Sequence, residues 1–213
     1  MYLPSYHRED RLEAQHDLIR AYPLASLVTM GRDGLIANPV PFILDATASP
    51  KGVLKAHIAR ANPLWQDYDP SHEALVIFHG PQSYVSPSFY ASKKETGKVV
   101  PTWNYVCVQA YGRLKVIEEQ NWLVDQIRAL TKLHEANQPT PWTIEDAPAD
   151  FVASMLNAII GIEIDISRIE GKWKLSQNRS AADRASLIQA LRISDAENAA
   201  TMASLIHKGD MKS

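Results

Sequence analysis

The chain is poor in the features that announce common protein classes, and each shortage excludes something. It has a single cysteine, Cys107, among 213 residues, so no internal disulfide can form and a reducing compartment is expected. Its mid-strand position suits a packing role better than a reactive one. Charge of neither sign dominates: 22 basic and 24 acidic residues leave a formal charge of −2, which gives no electrostatic reason for tight binding to nucleic acid or to an anionic membrane. No apolar run is long enough to span a bilayer. The opening Met1-Tyr2-Leu3-Pro4 lacks the charged-then-apolar layout of a secretion signal, so a cytoplasmic protein is expected. There is no glycine-rich fingerprint between a strand and a helix and no phosphate-binding P-loop motif, which argues against Rossmann and P-loop nucleotide sites. The seven histidines make no HExxH pairing, no GxSxG elbow is present, and no metal is expected. Internal repeats and low-complexity segments are missing too.

What is present is a 46% apolar chain long enough for one substantial core. Helical spacing runs over 8–22 until Pro23 stops it. A hairpin follows, with strands over 24–30 and 35–44 around a turn at Gly31-Arg32-Asp33-Gly34,. Pro39 and Pro41 cannot donate to a ladder, so the second strand belongs at an edge or a bulge. Another strand is predicted over 53–59, and Asn62-Pro63 reads as the cap and first turn of a short helix. Strands over 74–79 and 82–85 are expected on either side of Gly80-Pro81. The polar stretch 93–98 reads as an exposed loop, and a long strand follows over 103–117. Neither face of that strand is plainly wet in its first half, so a helix or a second subunit should cover the open side. Helices are predicted over 118–137, 149–156 and 181–191, with strand over 160–169 extended by 172–175. The sequence thus predicts a domain over 1–192 and a helical or frayed tail over 193–213. Short strands with hairpin turns and non-alternating helices make the fold class mainly β with peripheral helices, α+β.

Chemistry concentrates in four segments: His57-Ile58-Ala59-Arg60-Ala61-Asn62-Pro63, Tyr84-Val85-Ser86-Pro87-Ser88-Phe89-Tyr90, Val100-Pro101-Thr102-Trp103-Asn104-Tyr105 and Trp173-Lys174-Leu175-Ser176-Gln177-Asn178-Arg179. Each sets aromatic or cationic groups beside hydroxyls or amides at the edge of a strand-like run. Arg60 stands where a strand gives way to a helix, where a phosphate could take its guanidinium; the structural alternative is an ion pair with Asp67 or Asp69. His57 could bond the same ligand or serve the core, and Asn62 could cap the helix, bind, or do both. Thr102, Trp103, Asn104 and Tyr105 suit a flat heteroaromatic ring with polar edges, or the core. Lys174, Ser176 and Gln177 offer a cation, a hydroxyl and an amide, or a solvated surface.

Together, HIARANP, YVSPSFYASK, VPTWNYVCVQAYGRL and WKLSQNRS closely resemble the PaiB family, described as FMN-binding negative transcriptional regulators. The resemblance runs from MYLPSYH through Arg192. It implies an FMN-binding split β-barrel of the pyridoxamine-phosphate-oxidase-like superfamily, a homodimer with FMN at the subunit interface. It also implies that Arg60 contacts the FMN phosphate with His57 and Asn62 nearby, that Thr102, Trp103, Asn104 and Tyr105 wall the ring site, and that Lys174, Ser176, Gln177 and Asn178 form its rim across the dimer. Relatives commonly carry Ala-Thr-His-Leu-Pro-Phe where this chain has Ala37-Asn38-Pro39-Val40-Pro41-Phe42, which removes a threonine and a histidine. A flavin-dependent oxidoreductase and a haem binder with His57 as ligand are the competing functions; DNA or a regulatory partner protein completes the expected partners.

Overall fold

A computed structural model of the chain describes residues 1–210. In chain order the elements are β1 (Arg8–Glu9), α1 (Leu12–Ala21), β2 (Leu24–Gly31), β3 (Gly34–Pro41), β4 (Ile43–Asp45), β5 (Val53–Ala59), α2 (Leu64–Asp67), β6 (Ala74–Val85), α3 (Ser92–Thr96) and β7 (Thr102–Gly112). They continue with β8 (Leu114–Ile117), α4 (Gln120–Glu135), α5 (Ala149–Asn157), β9 (Ile159–Asp165), β10 (Arg168–Lys174), α6 (Ala181–Arg192) and α7 (Ala199–Asp210). The chain forms two compact units, the first made of Met1–Leu18, His79–Val108 and the chain from Glu170, the second of Ile19–Phe78 and Gln109–Ile169. Strands β6 and β7 run through both.

In the second unit the alternation of apolar residues dictates the sheet. Leu54, Ala56 and Ile58 of β5 stand opposite Ile164, Ile162 and Ile160 of β9, and all six are buried. Period-two burial of this kind fixes the register, because a slip of one residue would turn every isoleucine to the other face. The order there is β4-β5-β9-β8. A second ladder joins β6, β2 and β3, with β3 at its edge, where Pro39 and Pro41 oppose Ser26 and Leu24 without breaking an interior ladder. Phe42 and Phe78 meet edge to face at 6.1 Å, an arrangement favoured by the ring quadrupoles.

The first unit carries the order β1-β10-β7-β6 and the helices α6 and α7, which pack on each other. Helix α6 opens on Ser180, whose hydroxyl accepts from Asp183 N, and it buries Leu187, Ile188 and Leu191. The region expected as a helical or frayed tail contains α7, which buries Ala199, Met202, Ala203 and Ile206; residues 211–213 of that stretch lie outside the described residues.

Several expected boundaries change. The two strands predicted around Gly80-Pro81 are one strand, β6. The loop expected over 93–98 is mostly the short helix α3, closed by Gly97 at φ +66°, and only its end is loop. The long strand expected over 103–117 breaks at Arg113, β8 pairing instead with β9. The strand expected over 160–175 likewise divides into β9 and β10, which pair with different neighbours.

Candidate functional site

The richest site lies in the first unit, in a cleft of about 190 Å³ lined by Tyr6, His7, Tyr90, Val100, Pro101, Thr102, Asn104, Lys174, Ser176, Asn178 and Arg179. It is built around the segment that follows β10. Ser176 adopts φ +62°, a left-handed conformation that costs a non-glycine residue about 1 kcal/mol or more. The buried Asn104 holds it there. The Ser176 hydroxyl lies 3.0 Å from Asn104 Nδ2 and 3.1 Å from Oδ1. Gln177 is tied down as well: its Nε2 donates to Trp173 O at 2.5 Å, and its Oε1 accepts from Leu175 N at 2.8 Å. With the amide so oriented, Oε1 is an acceptor, and the 2.8 Å contact to His7 Nδ1 is a bond donated by the imidazole.

Cations dominate this cleft. Lys174 Nζ donates to Thr102 Oγ1 at 2.5 Å and to Trp103 O, and sits 5.9 Å from the Tyr105 ring centre. Arg179 lies over the Tyr90 ring at 4.6 Å. Neither makes an ion pair among the described residues. Asp183 feels the charge of Arg179, but its carboxylate accepts from Ser92 N and Ser92 Oγ, each at 2.9 Å. Burial lowers the Lys174 pKa, with Lys172 and Arg179 adding to the effect. Burial also lowers that of His7, opposed by its bond to Gln177 and assisted by Lys174 and Lys172. The Tyr90 hydroxyl is buried beside the cleft and has no partner among the described residues. Trp103 points outward from β7, 52% exposed, and meets Tyr84 edge to face at 5.9 Å.

Of the sequence-predicted residues, Thr102, Asn104, Lys174, Ser176 and Asn178 line this cleft. Gln177 supports it from behind, and Trp103 and Tyr105 stand on the outward face of β7. Sequence reasoning did not assign His7, Tyr90 or Arg179 to the cofactor site, Arg179 being a candidate for DNA contact instead. The last two lay within the quoted motifs, but nothing marked their direction; His7 lies 170 residues from its partner Gln177, a distance no local pattern bridges.

The other three predicted residues lie in the second unit. Arg60 does not pair with Asp67 or Asp69. Its Nη1 donates to Glu118 Oε2 and its Nε to Asn157 O, both at 2.9 Å. Asp67 takes Arg32 and Asp69 takes His72 instead. Asn62 caps α2, its Oδ1 accepting from Leu64 N at 3.0 Å, while its Nδ2 donates to Asn38 Oδ1 at 3.0 Å. Asn38, the residue that departs from the usual threonine, therefore has a defined role. His57 Nδ1 bonds Gln126 Oε1 at 2.7 Å. Cys107 is buried and free, and burial raises its pKa, as a packing role requires. Among the described residues no group of three or more metal-ligating side chains gathers, and no helix is long and apolar enough to cross a membrane.

The residues of the first-unit cleft suit FMN: aromatic faces for a flat ring, hydroxyls and amides for its polar edges, and unpaired cations for a phosphate, with the Tyr90 hydroxyl still lacking a partner.

Known proteins resemble this chain along its whole length. The family model described as "Putative FMN-binding domain" matches residues 1–168. An uncharacterised protein of Emericella nidulans is 34% identical, covering 100% of this chain and 99% of its own. Protease synthase and sporulation protein PAI 2 of Bacillus subtilis is 28% identical, covering 97% of this chain and 96% of its own. Among solved structures, the flavocytochrome Anf3 from Azotobacter vinelandii superposes with a TM-score of 0.57 at 13% identity, covering 79% of this chain and 69% of its own. The FAD and heme binding protein from Mycobacterium smegmatis gives 0.56 at 16%, covering 84% and 80%. At such identities the likeness carries the fold alone, a mostly antiparallel β architecture with several helices.

Proposed function

This chain belongs to the family of FMN-binding domains, and FMN is its cofactor; from that premise we propose that it acts as a dimeric, PaiB-like negative regulator of transcription whose flavin site is completed by a second copy. The observation that carries the reading is the first-unit cleft, where unpaired Lys174 and Arg179 stand beside tyrosine rings, hydroxyls and amides. Its 190 Å³ falls below the roughly 300 Å³ at which pockets for drug-sized ligands begin, so one chain offers only part of a site. The outward Trp103–Tyr84 pair supplies an aromatic surface of the kind that subunits cover. The regulatory part of the reading comes from the resemblance to the PaiB family; the name of the Bacillus relative ties that protein to protease synthesis and sporulation.

FMN, when bound, supplies the capacity to exchange one or two electrons with a partner. The protein's own residues bind and orient. Lys174 is held by Thr102 Oγ1 and Trp103 O, so its remaining N–H is aimed before any ligand arrives. Asn104 fixes Ser176, and Gln177 fixes His7, so the polar edge of the cleft is preorganised. For Arg60 the family resemblance implies a phosphate contact. Its ion pair with Glu118 is largely exposed, so exchanging that carboxylate for a phosphate costs little.

A specific observation favours a second reading, an FMN-dependent oxidoreductase. His7 and Lys174 both have lowered pKa values in one cleft, and perturbed titratable groups cluster where chemistry is done.

The absorbance spectrum of freshly purified protein is the first test: flavin bands near about 375 and 450 nm are expected, and a Soret band near about 400 nm would point to haem instead. Arg60→Ala should weaken FMN by about tenfold, the loss of one charge-assisted hydrogen bond; unchanged affinity would remove Arg60 from the site. Salt-dependent DNA binding that flattens when Lys93, Lys94 and Lys98 become alanine supports the regulator. Rapid NAD(P)H consumption without DNA binding at low salt would select the oxidoreductase.

A further inference from the structure

The first-unit cleft is asymmetric in charge. Its lining holds Lys174, Arg179 and His7 and not one carboxylate. Elsewhere, cations of this chain are commonly neutralised close by: Arg60 by Glu118, Lys55 by Asp45, Arg128 by Glu145. Lys174 and Arg179 make no ion pair among the described residues, and Lys172 adds to the field that Lys174 feels; the nearest carboxylate influence on Arg179 is Asp183, whose oxygens are taken up by Ser92. Two half-sheltered cations held close together repel each other, and hydrogen bonds on Lys174 and ring stacking on Arg179 hold them in place. Donors without acceptors point the same way. The Tyr90 hydroxyl, in a side chain 2% exposed, has no partner among the described residues, and Ser176 is held in a left-handed conformation that persists only when its surroundings enforce it.

We propose that this cleft is an oxyanion site, which takes a phosphate or carboxylate group between Lys174 and Arg179 with the Tyr90 hydroxyl as an additional donor. Arg60, the cation the motifs single out for phosphate, already has a carboxylate, whereas Lys174 and Arg179 do not. An oxyanion supplies the missing counter-charge and accepts from planar and point donors alike. The volume is right for such a head group and too small for a whole nucleotide. Two sources share this chemistry: the phosphate of the flavin nucleotide itself, in which case Arg60 keeps Glu118 and is not the phosphate contact, and a separate small anionic molecule, in which case the Arg60 assignment stands. The assignment rests on cleft geometry and charge, and it stands or falls apart from the regulatory reading.

The test is calorimetric titration of the full-length protein with sodium sulfate at constant ionic strength, first without flavin and then loaded with FMN or riboflavin. Saturable sulfate binding is expected, weakened at least about tenfold in the Lys174→Gln, Arg179→Gln double variant. It should be retained in Lys132→Gln, which removes an exposed lysine of the second unit, and largely restored by Arg179→Lys with Lys174 intact. Thermal melts confirm that each variant is folded. If FMN displaces sulfate and riboflavin does not, the oxyanion is the flavin's own phosphate. If sulfate binds equally well to the FMN-loaded protein, the cleft serves a separate anion. Equal sulfate affinity in wild type and double variant, or no saturable binding to wild type in any state, overturns the proposal. Flavin binding itself is read from the absorbance spectrum, so its failure is seen separately.

Discussion

At the scale of single residues, His7 shows how position overrides type. An exposed histidine titrates near 6.5, but burial beside Lys174 and Lys172 lowers the folded-state pKa of His7 below that value. The unfolded chain therefore takes up the proton first as the pH falls. His7 costs nothing above about pH 7, and stability is lost as the pH drops through 6.5 toward the lowered folded value. The groups facing it are Gln177, the Tyr6 ring at 4.4 Å and the two lysines. His7→Gln should accordingly flatten the fall in melting temperature between about pH 7 and pH 5 relative to wild type. Parallel pH profiles for the two proteins would show that His7 is not held neutral. The sequence alone gave no reason to look at this residue, because its partner Gln177 lies at the far end of the chain.

At the scale of elements, what divides the strands is backbone crowding rather than hydrophobic pattern. The run from Trp103 to Ile117 is rich in aromatic and β-branched residues and holds no proline, so pattern alone reads it as one strand. A β-carbon on Gly112 would stand 2.1 Å from Asp165 O, so β7 ends where the chain passes against the end of β9, and β8 begins a different pairing. Gly112→Ala should destabilise the fold by about 3 kcal/mol, since the clash is with backbone that cannot rotate away. Chemical denaturation would reveal it, and a midpoint equal to wild type would mean that the crossing is looser than drawn. The converse error occurs at Gly80-Pro81, which reads as a turn and lies inside β6. Gly80 is needed there for close approach, its missing β-carbon leaving room for Leu18 Cδ1 at 2.7 Å and Val106 O at 3.2 Å,. Helices fared better. The apolar stripes of α4, α5 and α6 have a period that only a helix satisfies, and their ends differ from expectation by one or two residues.

At the scale of the whole molecule, the exposed Trp103 and Tyr84 make the oligomeric state the decisive measurement. Light scattering at low micromolar concentration should give about twice the 23.8 kDa chain mass, and Trp103→Arg should lower it toward one chain while weakening FMN, since a charge at the centre of an aromatic interface is desolvated without a partner. A monodisperse wild-type monomer would remove the shared site. The sequence by itself determined the fold class, the edge position of the proline-bearing strand β3, the capped turn at Asn62 and the family, because alternation, proline chemistry, capping and ordered motifs are all written locally. It also singled out Thr102, Asn104, Lys174, Ser176 and Asn178, which line the first-unit cleft. Only the tertiary structure decided which cations remain unpaired. Arg60 met Glu118 and Asn157, while Lys174 and Arg179 make no ion pair among the described residues, and His7 and Tyr90 joined the same cleft. Ion pairing and burial depend on which distant segments the fold brings within a few ångströms, and no spacing along the chain encodes that.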